Sequence, residues 1–343
     1  MEKRTELAEV GEFGLIDRLE EKFSKAINKT TVKGIGDDAA VIDIQGDDYL
    51  LFAADMLVEG IHFDLSYMPL KHLGYKAAVT NFSDIAAMNG LPEQITVSLG
   101  LSNRFSIEAI EELYEGFKLA CENYKVDLVG GDTTSSRSGL IISISVIGRV
   151  NKDRIAYRST AKEGDIVCVT GDLGGAYMGL QVLEREKQGY SANPNYQPEL
   201  SDKEYIVGRQ LRPEARTDIV HEFKEKDIVP TSLIDISDGL ASEILHICTQ
   251  SNVGVQIFYE KIPLDELTKN TSIEFDINPS VCALNGGEDY ELLFTIKQED
   301  FEKVRLNSDI TPIGIIKNKS FGYNLVTENS VIIPIKAQGW THF

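Results

Sequence analysis

Residues 34–40 of the chain are Gly34-Ile35-Gly36-Asp37-Asp38-Ala39-Ala40, and an apolar pair, Val41-Ile42, follows them. The apolar residues are typical of a strand that enters a core, and the glycines allow backbone angles that other residues resist. Two adjacent carboxylates at the mouth of a strand repel each other unless water or a cation separates them. Mg²⁺ suits such a position because it is a hard ion that prefers oxygen ligands. The stretch therefore indicates either a magnesium site or an acidic turn, since glycine and aspartate are ordinary turn residues.

Length and net charge limit the classes of protein to which the chain can belong. Its 343 residues suggest two domains. The formal net charge of −20 argues against nucleic acid or an anionic membrane as the main partner. No apolar run of the sequence approaches the length that spans a membrane. The charge is compatible with phosphate substrates, provided that metal ions neutralise their phosphates.

The cysteines and the first residues of the chain indicate a cytoplasmic protein. The four cysteines are scattered and form no CxxC pair, so we expect reduced core thiols rather than a zinc site or a disulfide framework. They are Cys121, Cys168, Cys248 and Cys282. Residues 1–11 are charged and contain no apolar segment of the kind found in secretory signals.

The pattern of apolar residues predicts helices and strands that alternate irregularly in both halves of the chain. In the first half, helices are predicted at 14–26, between Pro69 and Gly90, and after a capping Ser106. Strands are predicted there at 50–55, 95–99, 126–129 and 140–150. Further strands are predicted at 165–170, 232–236, 253–259, 290–296, 312–316 and 331–335. The polar segment 184–204 is predicted to be an exposed loop. This order favours two α+β domains over one doubly wound sheet, and we place them at 1–155 and 156–343.

Carboxylates recur where apolar elements end, and their recurrence suggests that they converge on metal ions. The residues concerned are Asp38, Asp55, Asp84, Asp132, Asp235 and Asp238. Any one of them could instead be a cap, a turn residue or a solvated side chain. The stretch 130–132, Gly-Gly-Asp, is typical of a backbone that approaches a phosphate while the aspartate holds the accompanying metal. In the stretch 235–239, the aspartates could hold metal and the Ser237 hydroxyl could bind phosphate at a helix N-terminus.

Three other features carry weaker signals. The stretch 171–175, Gly-Asp-Leu-Gly-Gly, resembles a phosphate loop but lacks the Walker lysine, so a plain turn between strand and helix is favoured. His62 is either a polar loop residue or a ligand contact. Arg158 could meet a phosphate across the domain junction, or it could be a solvated surface arginine.

Nine stretches together make a family resemblance evident over nearly the whole chain. They are 11–13, 34–40, 55–63, 81–88, 130–134, 158–159, 235–240, 286–292 and 339–343, and they include Asn81-Phe82-Ser83-Asp84, Gly286-Gly287-Glu288-Asp289-Tyr290-Glu291-Leu292 and Gly339-Trp340-Thr341-His342-Phe343. With these residues the chain resembles the thiamine-monophosphate kinases, which belong to the superfamily of aminoimidazole ribonucleotide synthetase. The resemblance implies a PurM-like α+β fold whose N-terminal sheet domain forms a homodimer.

The resemblance also implies an activity and a set of site residues. The activity is the ATP-dependent phosphorylation of thiamine monophosphate to thiamine diphosphate. Several Mg²⁺ ions would be held at Asp38, Asp55, Asp84, Asp132, Asp235 and Asp238. ATP would contact Gly131, Asp132, Arg158 and Ser237, and thiamine monophosphate would contact His62, Glu288 and Trp340. The family often has hydroxyl residues where Ala53 and Ala54 stand here, so these two would bind metal only through backbone carbonyls.

The residue inventory suits this reaction, because a phosphate nucleophile needs metal-holding carboxylates rather than a general base. Two other interpretations remain open at this point. A selenophosphate synthetase would carry a reactive cysteine near its N-terminus, whereas the first cysteine here is Cys121. A non-catalytic maturation factor of the same superfamily would end in a cysteine-bearing tail, which this sequence lacks.

Overall fold

The computed structural model of the chain describes residues 6–23, 25–193, 195–327 and 329–337. Among the described residues of the first half, the chain forms six strands and three helices. In chain order they are α1 (Leu7–Phe23), β1 (Thr31–Lys33), β2 (Ala40–Asp43), β3 (Asp48–Val58), α2 (Leu70–Ala86), β4 (Leu91–Leu101), α3 (Ile107–Tyr124), β5 (Asp127–Ser135) and β6 (Ile141–Asn151).

The six strands form one sheet in the order β1-β2-β3-β6-β4-β5. The pairs are antiparallel except β4 with β5, which run parallel and leave β5 at the edge. Helix α2 packs on β3, β6 and β4, and α3 packs on α2. Two glycines allow the helices to approach closely. A Cβ at Gly74 would lie 2.1 Å from the Leu113 carbonyl oxygen, and a Cβ at Gly116 would lie 2.0 Å from the Lys71 carbonyl oxygen. The opposite face of the sheet is open and exposes Phe52 and Met56.

The second half forms seven strands and seven helices among the residues that the structure describes. They are β7 (Ile166–Thr170), α4 (Gly175–Ala192), α5 (Glu204–Leu211), α6 (Thr217–Glu225), β8 (Ser232–Asp235), α7 (Leu240–Ser251), β9 (Gly254–Phe258), α8 (Glu266–Glu274), α9 (Pro279–Asn285), β10 (Leu292–Ile296), α10 (Gln298–Val304), β11 (Ile310–Lys317), β12 (Tyr323–Val326) and β13 (Ile332–Pro334). Two short 3-10 turns lie at Tyr259–Lys261 and Lys319–Phe321. The strand order of the second sheet is β13-β12-β9-β11-β7-β10-β8.

The two halves share one apolar core instead of meeting at a hydrated polar interface. Met178 and Ile206 of the second half belong to the same buried cluster as Leu73 and Phe117 of the first. Helix α2 also contacts α5, α6 and β8, so it lies between the two sheets. Because apolar packing of this kind is dense, α2 is held at a fixed position against both halves. The sequence expectation of two α+β units is confirmed in this form.

Three local predictions are confirmed, namely the span of α2, the Ser106 cap and the free, buried cysteines. Helix α2 begins directly after Pro69 and ends before Gly90. The Ser106 hydroxyl accepts a hydrogen bond from the backbone N–H of Ala109 at 3.3 Å, as expected of a helix cap. The four cysteines are free and buried. Among the described residues, no helix combines the length and apolar content that crossing a bilayer requires.

Two predictions of local structure were wrong. The strand expected at 126–129 continues as β5 through Ser135, because its ladder with β4 includes Gly130 and Gly131. The segment 184–204 is not a loop throughout, because α4 continues to Ala192 and buries Glu186. The Glu186 carboxylate accepts a hydrogen bond from the Tyr196 hydroxyl at 2.6 Å, so its polar group is satisfied inside the fold. The polar composition of the segment did not reveal that its buried glutamate is hydrogen-bonded.

Candidate active site

Three aspartates from distant parts of the sequence meet at one point of the fold. Asp38 precedes β2, Asp84 lies in the last turn of α2, and Asp235 ends β8. One carboxylate oxygen from each lies within 4.8 Å of the others. The group therefore draws on both halves of the chain, and α2 brings its middle member between the two sheets.

Helix α2 also orients the neighbours of this group. The Asn81 side-chain oxygen accepts a hydrogen bond from the backbone N–H of Asp55 at 3.2 Å. The Ser83 hydroxyl donates to the Asp235 carboxylate at 2.6 Å. Because residues three apart share a helix face, the spacing of Asn81 and Asp84 places both on the same face of α2. We refer to Asp38, Asp55, Asp84 and Asp235 together as the carboxylate cluster.

Burial raises the pKa of three acids of the carboxylate cluster. Burial, followed by the neighbouring Asp38 charge, raises the pKa of Asp235 to about 7. Burial raises the pKa of Asp55 to about 6. The pKa of Asp84 is raised by burial and then by Asp55 and Asp235. Carboxylates that are desolvated together in this way favour protonation or a bound cation.

Arg158 supplies a positive charge to the cluster. Its Nε donates to an Asp38 oxygen at 2.8 Å, and its backbone N–H donates to Asp37 at 3.3 Å. The side chain is 20% exposed, so the interpretation of Arg158 as a solvated surface residue was wrong. The side chain of Asp37 is buried, and its Oδ2 has no hydrogen-bond partner among the described residues. Burial, followed by the Asp38 charge, raises the pKa of Asp37 to about 7.

The turn after β8 is held by a buried acid of α7 that was not predicted from the sequence. The backbone N–H of Asp238 donates to the Glu243 carboxylate at 2.8 Å, which holds the turn against the first residues of α7. Glu243 is buried, and burial followed by Asp238 raises its pKa. Ser237 is half-buried in the same turn. An acid five residues after Asp238 was the available signal, but a glutamate in the first turn of a helix is ordinary.

The segment 286–292 passes beside this turn in a strained conformation. Glu288 and Tyr290 have φ angles of 58° and 52°, where residues other than glycine pay on the order of 1–3 kcal/mol each. The Glu288 N–H donates to the Ser237 carbonyl at 2.7 Å, and the Tyr290 N–H donates to that of Ile236 at 2.9 Å. The Glu288 carboxylate lies 2.9 Å from the Lys76 ammonium. The surrounding fold therefore determines where this carboxylate points.

His62 lies in the loop that follows β3, and it is half-buried. Its Nδ1 accepts a hydrogen bond from the backbone N–H of Val58 at 3.0 Å, which orients the ring. Two residues later, Asp64 forms an ion pair with Lys187 of α4 at 2.8 Å. The hydrogen bond from Lys187 holds the pKa of Asp64 down at about 2. This loop is therefore tied to the second half of the chain.

Gly131 and Asp132 are not brought to the carboxylate cluster within one chain. Both are exposed on the edge strand β5, and β6 and β4 separate β5 from Asp55 on β3. Three strand spacings correspond to about 14 Å, which is too far for a shared ion. Gly131 also has a structural reason to be glycine, because a Cβ there would lie 1.8 Å from the Val97 carbonyl oxygen.

Of the remaining predicted site residues, the structure describes Ala53 and Ala54. Ala53 is buried and Ala54 is exposed, so their side chains lie on opposite faces of β3. Strand β2 pairs with β3 only as far as Phe52, which leaves the outer edge of β3 at these alanines without a β2 partner. Trp340 lies outside the described residues.

Comparison with known proteins shows the family of the chain. A family model described as "AIR synthase related protein, N-terminal domain" matches residues 36–150. The thiamine-monophosphate kinase of Aquifex aeolicus is 36% identical over 338 residues, which cover 98% of this chain and 99% of the relative. That of Bacillus subtilis is 34% identical over 319 residues, covering 90% and 93%. The chain belongs to the thiamine-monophosphate kinase family.

A solved structure of the same family supports the fold over its whole length. It is described as "AaThiL complexed with AMPPCP and TMP", is 35% identical, and covers 99% of both chains with a TM-score of 0.84. The two-domain PurM-like architecture expected from the resemblance is thereby confirmed. Membership of the thiamine-monophosphate kinase family does not favour the selenophosphate synthetase or the maturation factor that the sequence left open.

Proposed function

We propose that the chain transfers the γ-phosphoryl group of ATP to the phosphate of thiamine monophosphate and releases thiamine diphosphate and ADP. The observation that carries the proposal is the carboxylate cluster, which lies in a chain that is 36% identical to a thiamine-monophosphate kinase over 98% of its length. The complex of AaThiL with AMPPCP and TMP supports ATP and thiamine monophosphate as the two substrates.

The acceptor phosphate makes a general base unnecessary. A phosphate monoester has a second pKa of about 6, so one of its oxygens is already a competent anionic nucleophile near neutral pH. The barrier lies in bringing two polyanions together in line, and the transfer is direct, without a phosphorylated side chain. The residues of the chain therefore bind and orient the phosphates rather than transfer protons.

The residues of the cluster fit Mg²⁺. Their donors are hard carboxylate oxygens, and oxygens of Asp38, Asp84 and Asp235 lie within 4.8 Å of one another. Burial raises the pKa of Asp55, Asp84 and Asp235. When bound, Mg²⁺ supplies the neutralisation and alignment of phosphate oxygens that phosphoryl transfer requires. The residues that we assign to metal binding are Asp38, Asp55, Asp84, Asp132, Asp235 and Asp238, with the backbone of Ala53 and Ala54 as further ligands.

Arg158 and Ser237 are assigned to ATP, together with Gly131 and Asp132. The Arg158 guanidinium lies at the cluster, where its charge can be shared between Asp38 and a phosphate. His62 and Glu288 are assigned to thiamine monophosphate because the fold orients both of them, and Trp340 is assigned on the family resemblance. The planar, cationic substrate suits an aromatic contact.

A homodimer through the first sheet would complete the site. The open face of that sheet exposes Phe52 and Met56, and the edge strand β5, which carries Asp132, exposes Val129. Because Asp132 lies about 14 Å from Asp55 in its own chain, it reaches a cluster only across such a dimer. We expect Asp132→Asn and Asp38→Asn to be inactive singly and to regain part of the activity when they are refolded together. If each chain instead builds its own site, refolding the two variants together restores no activity.

The boundary between the domains is placed at residue 155, which gives domains 1–155 and 156–343. The first sheet ends at Asn151 and the second begins at Ile166, so the boundary falls in the connection between them. The net charge of −20 supports small-molecule phosphates rather than nucleic acid or membrane as partners. Four free cysteines are consistent with the reducing cytoplasm.

The proposed function is tested by incubating the protein with ATP, Mg²⁺ and thiamine monophosphate. We expect thiamine diphosphate and ADP in equal amounts, and no product when EDTA is present. Release of ADP at the same rate without thiamine monophosphate would contradict the proposal, as would turnover that requires no divalent ion.

A further inference from the structure

Glu288 is held by donors on two different helices. The Lys76 ammonium on α2 lies 2.9 Å from Glu288 Oε1, and the Gln210 side-chain amide on α5 donates to Oε2 at 2.8 Å. Lys76 also donates to the Gln210 backbone carbonyl at 3.1 Å. Lys76 is only 1% exposed, so it is closed to a ligand, whereas the Glu288 side chain keeps 30% of its surface accessible.

This arrangement is unfavourable for stability in three respects. A buried ion pair is often no more stable than a well-packed apolar pair of similar size. The Oε1 of Gln210 is buried without a hydrogen-bond partner in the part of the chain that the structure describes. The backbone of Glu288 is in the left-handed region, with φ of 58°. Local rules that are broken together around one carboxylate indicate that its orientation serves binding.

The position of Glu288 relative to the carboxylate cluster indicates which end of the substrate it meets. Lys76 and Asp84 both lie on α2, eight residues apart, which corresponds to about 12 Å of helix. A substrate whose phosphate lies at Asp84 can therefore reach Lys76 and Glu288 with the ring at its far end. A carboxylate only accepts hydrogen bonds, and it repels phosphate. On thiamine monophosphate, the exocyclic amino group of the aminopyrimidine is an N–H donor, whereas the thiazolium ring carries none.

We propose that Lys76 and Gln210 are positioning residues that orient the Glu288 carboxylate to accept a hydrogen bond from the amino group of the substrate pyrimidine. The inference rests on the proposed function and adds to it the chemical group by which the substrate is selected. Lys76 touches no substrate atom. It acts by fixing one oxygen of Glu288 while Gln210 fixes the other.

The test compares two substrates in each variant. One is thiamine monophosphate, and the other is oxythiamine monophosphate, in which a carbonyl oxygen replaces the amino group. We expect the wild-type protein to prefer the amino substrate by about 100-fold or more in kcat/KM, because the oxo analogue leaves a buried acceptor facing another acceptor. Lys76→Met should reduce this preference by about tenfold or more, with the KM for ATP changed less than about twofold. Gln210→Met should reduce it by a smaller factor.

Two further variants keep the test decisive. Lys76→Met with Glu288→Met replaces the ion pair by an apolar pair, which avoids an unpaired buried charge and should show the same low preference. Lys203→Met is the matched control, since Lys203 is also buried and lies 2.8 Å from Glu274. We expect Lys203→Met to lower the melting temperature and to leave the preference unchanged. A preference ratio is insensitive to the fraction of protein that is folded.

The inference is overturned if Lys76→Met and the double variant both keep the wild-type preference, including the case in which KM rises equally for both substrates. It is also overturned if Lys203→Met lowers the preference as much as Lys76→Met. Failure of the proposed function would be recognised separately, because the wild-type protein would then form no thiamine diphosphate from thiamine monophosphate and ATP.

Discussion

Two groups of buried acids lie near each other and differ in how their charge is balanced. In the first, the carboxylate cluster, burial raises the pKa of Asp235 to about 7 although Arg158 lies nearby. In the second, Glu291 lies 2.7 Å from Arg209 and 2.5 Å from Arg216. Burial raises the pKa of Glu291, but the two guanidinium groups outweigh it and the net pKa is lowered.

The difference shows why one acidic group is part of the scaffold and the other is suited to metal. Glu291 of the second group is neutralised by arginines from α5 and from the residue before α6, so it needs no cation from solution. Burial raises the pKa of the neighbouring Asp289 to about 7, and its carboxylate accepts hydrogen bonds from the backbone N–H groups of Gly174 at 2.7 Å and Ala176 at 3.3 Å. In the phosphate-loop-like stretch 171–175, the Gly174 N–H thus donates to a side chain of the protein, and the N–H groups of Gly171 and Leu173 donate to the backbone carbonyls of Asp309 and Pro263. The carboxylate cluster has fewer cations than acids and attracts a cation from outside.

The largest expected effect tests the carboxylate cluster. Asp84→Asn should lower kcat by roughly 1,000-fold or more, because it removes an anionic ligand from the site of phosphoryl transfer. The melting temperature of the metal-free variant should not fall, since the lost charge is one that burial disfavours. Activity and thermal unfolding are measured together, with the exposed Asp202→Asn as control. Near-normal activity at limiting Mg²⁺ would remove Asp84 from the site.

The opposite pattern is expected for the second acidic group. Arg216→Met should destabilise the fold by about 3–5 kcal/mol, because it leaves Glu291 buried with one cation fewer. The folded fraction should retain its KM for both substrates. Chemical denaturation gives the free energy of unfolding, and Arg305→Met is the control, since the exposed Arg305–Glu302 pair should contribute less than about 1 kcal/mol. An unchanged free energy of unfolding in Arg216→Met would mean that this group does not stabilise the scaffold.

A smaller effect should appear in the pH dependence of stability. The pKa values of Asp55 and Asp235 are about 6 and about 7 in the folded protein, against about 3.9 when unfolded. Between about pH 4 and pH 7 the folded state therefore binds more protons, and its free energy of unfolding falls as pH rises. As pH rises across this window, the free energy of unfolding of metal-free Asp235→Asn should increase relative to that of the wild-type protein by about 1 kcal/mol or more.

The control for the pH experiment is added Mg²⁺. It should raise the melting temperature of the wild-type protein more at pH 7.5 than at pH 5.5, because the ion binds the deprotonated carboxylates. A difference between wild type and Asp235→Asn that stays constant from pH 4 to pH 7.5 would show that the carboxyl group of Asp235 does not titrate with a raised pKa.

Much of the local structure was predictable because it depends on neighbours in the chain. The span of α2 followed from Pro69 and Gly90, and the shared face of Asn81 and Asp84 followed from helical spacing. The acids proposed for the site were likewise predicted from their neighbours in the chain, because they stand where apolar elements end. The length of α4 did not, because the hydrogen bond to Glu186 comes from Tyr196, beyond the end of the helix.

The amino-acid sequence by itself determined the span of α2, the list of acids available to a metal, and the family to which the chain belongs. Only the tertiary structure decided which acids lie together and which cations lie beside them. Glu288 lies far from Lys76 in the sequence, and Glu291 lies 82 residues from Arg209. Placement of Asp132 on an edge strand likewise depends on the order of strands in the sheet. The physical reason is that the pKa of a buried carboxylate depends on charges within a few ångströms, and chain order does not specify those distances.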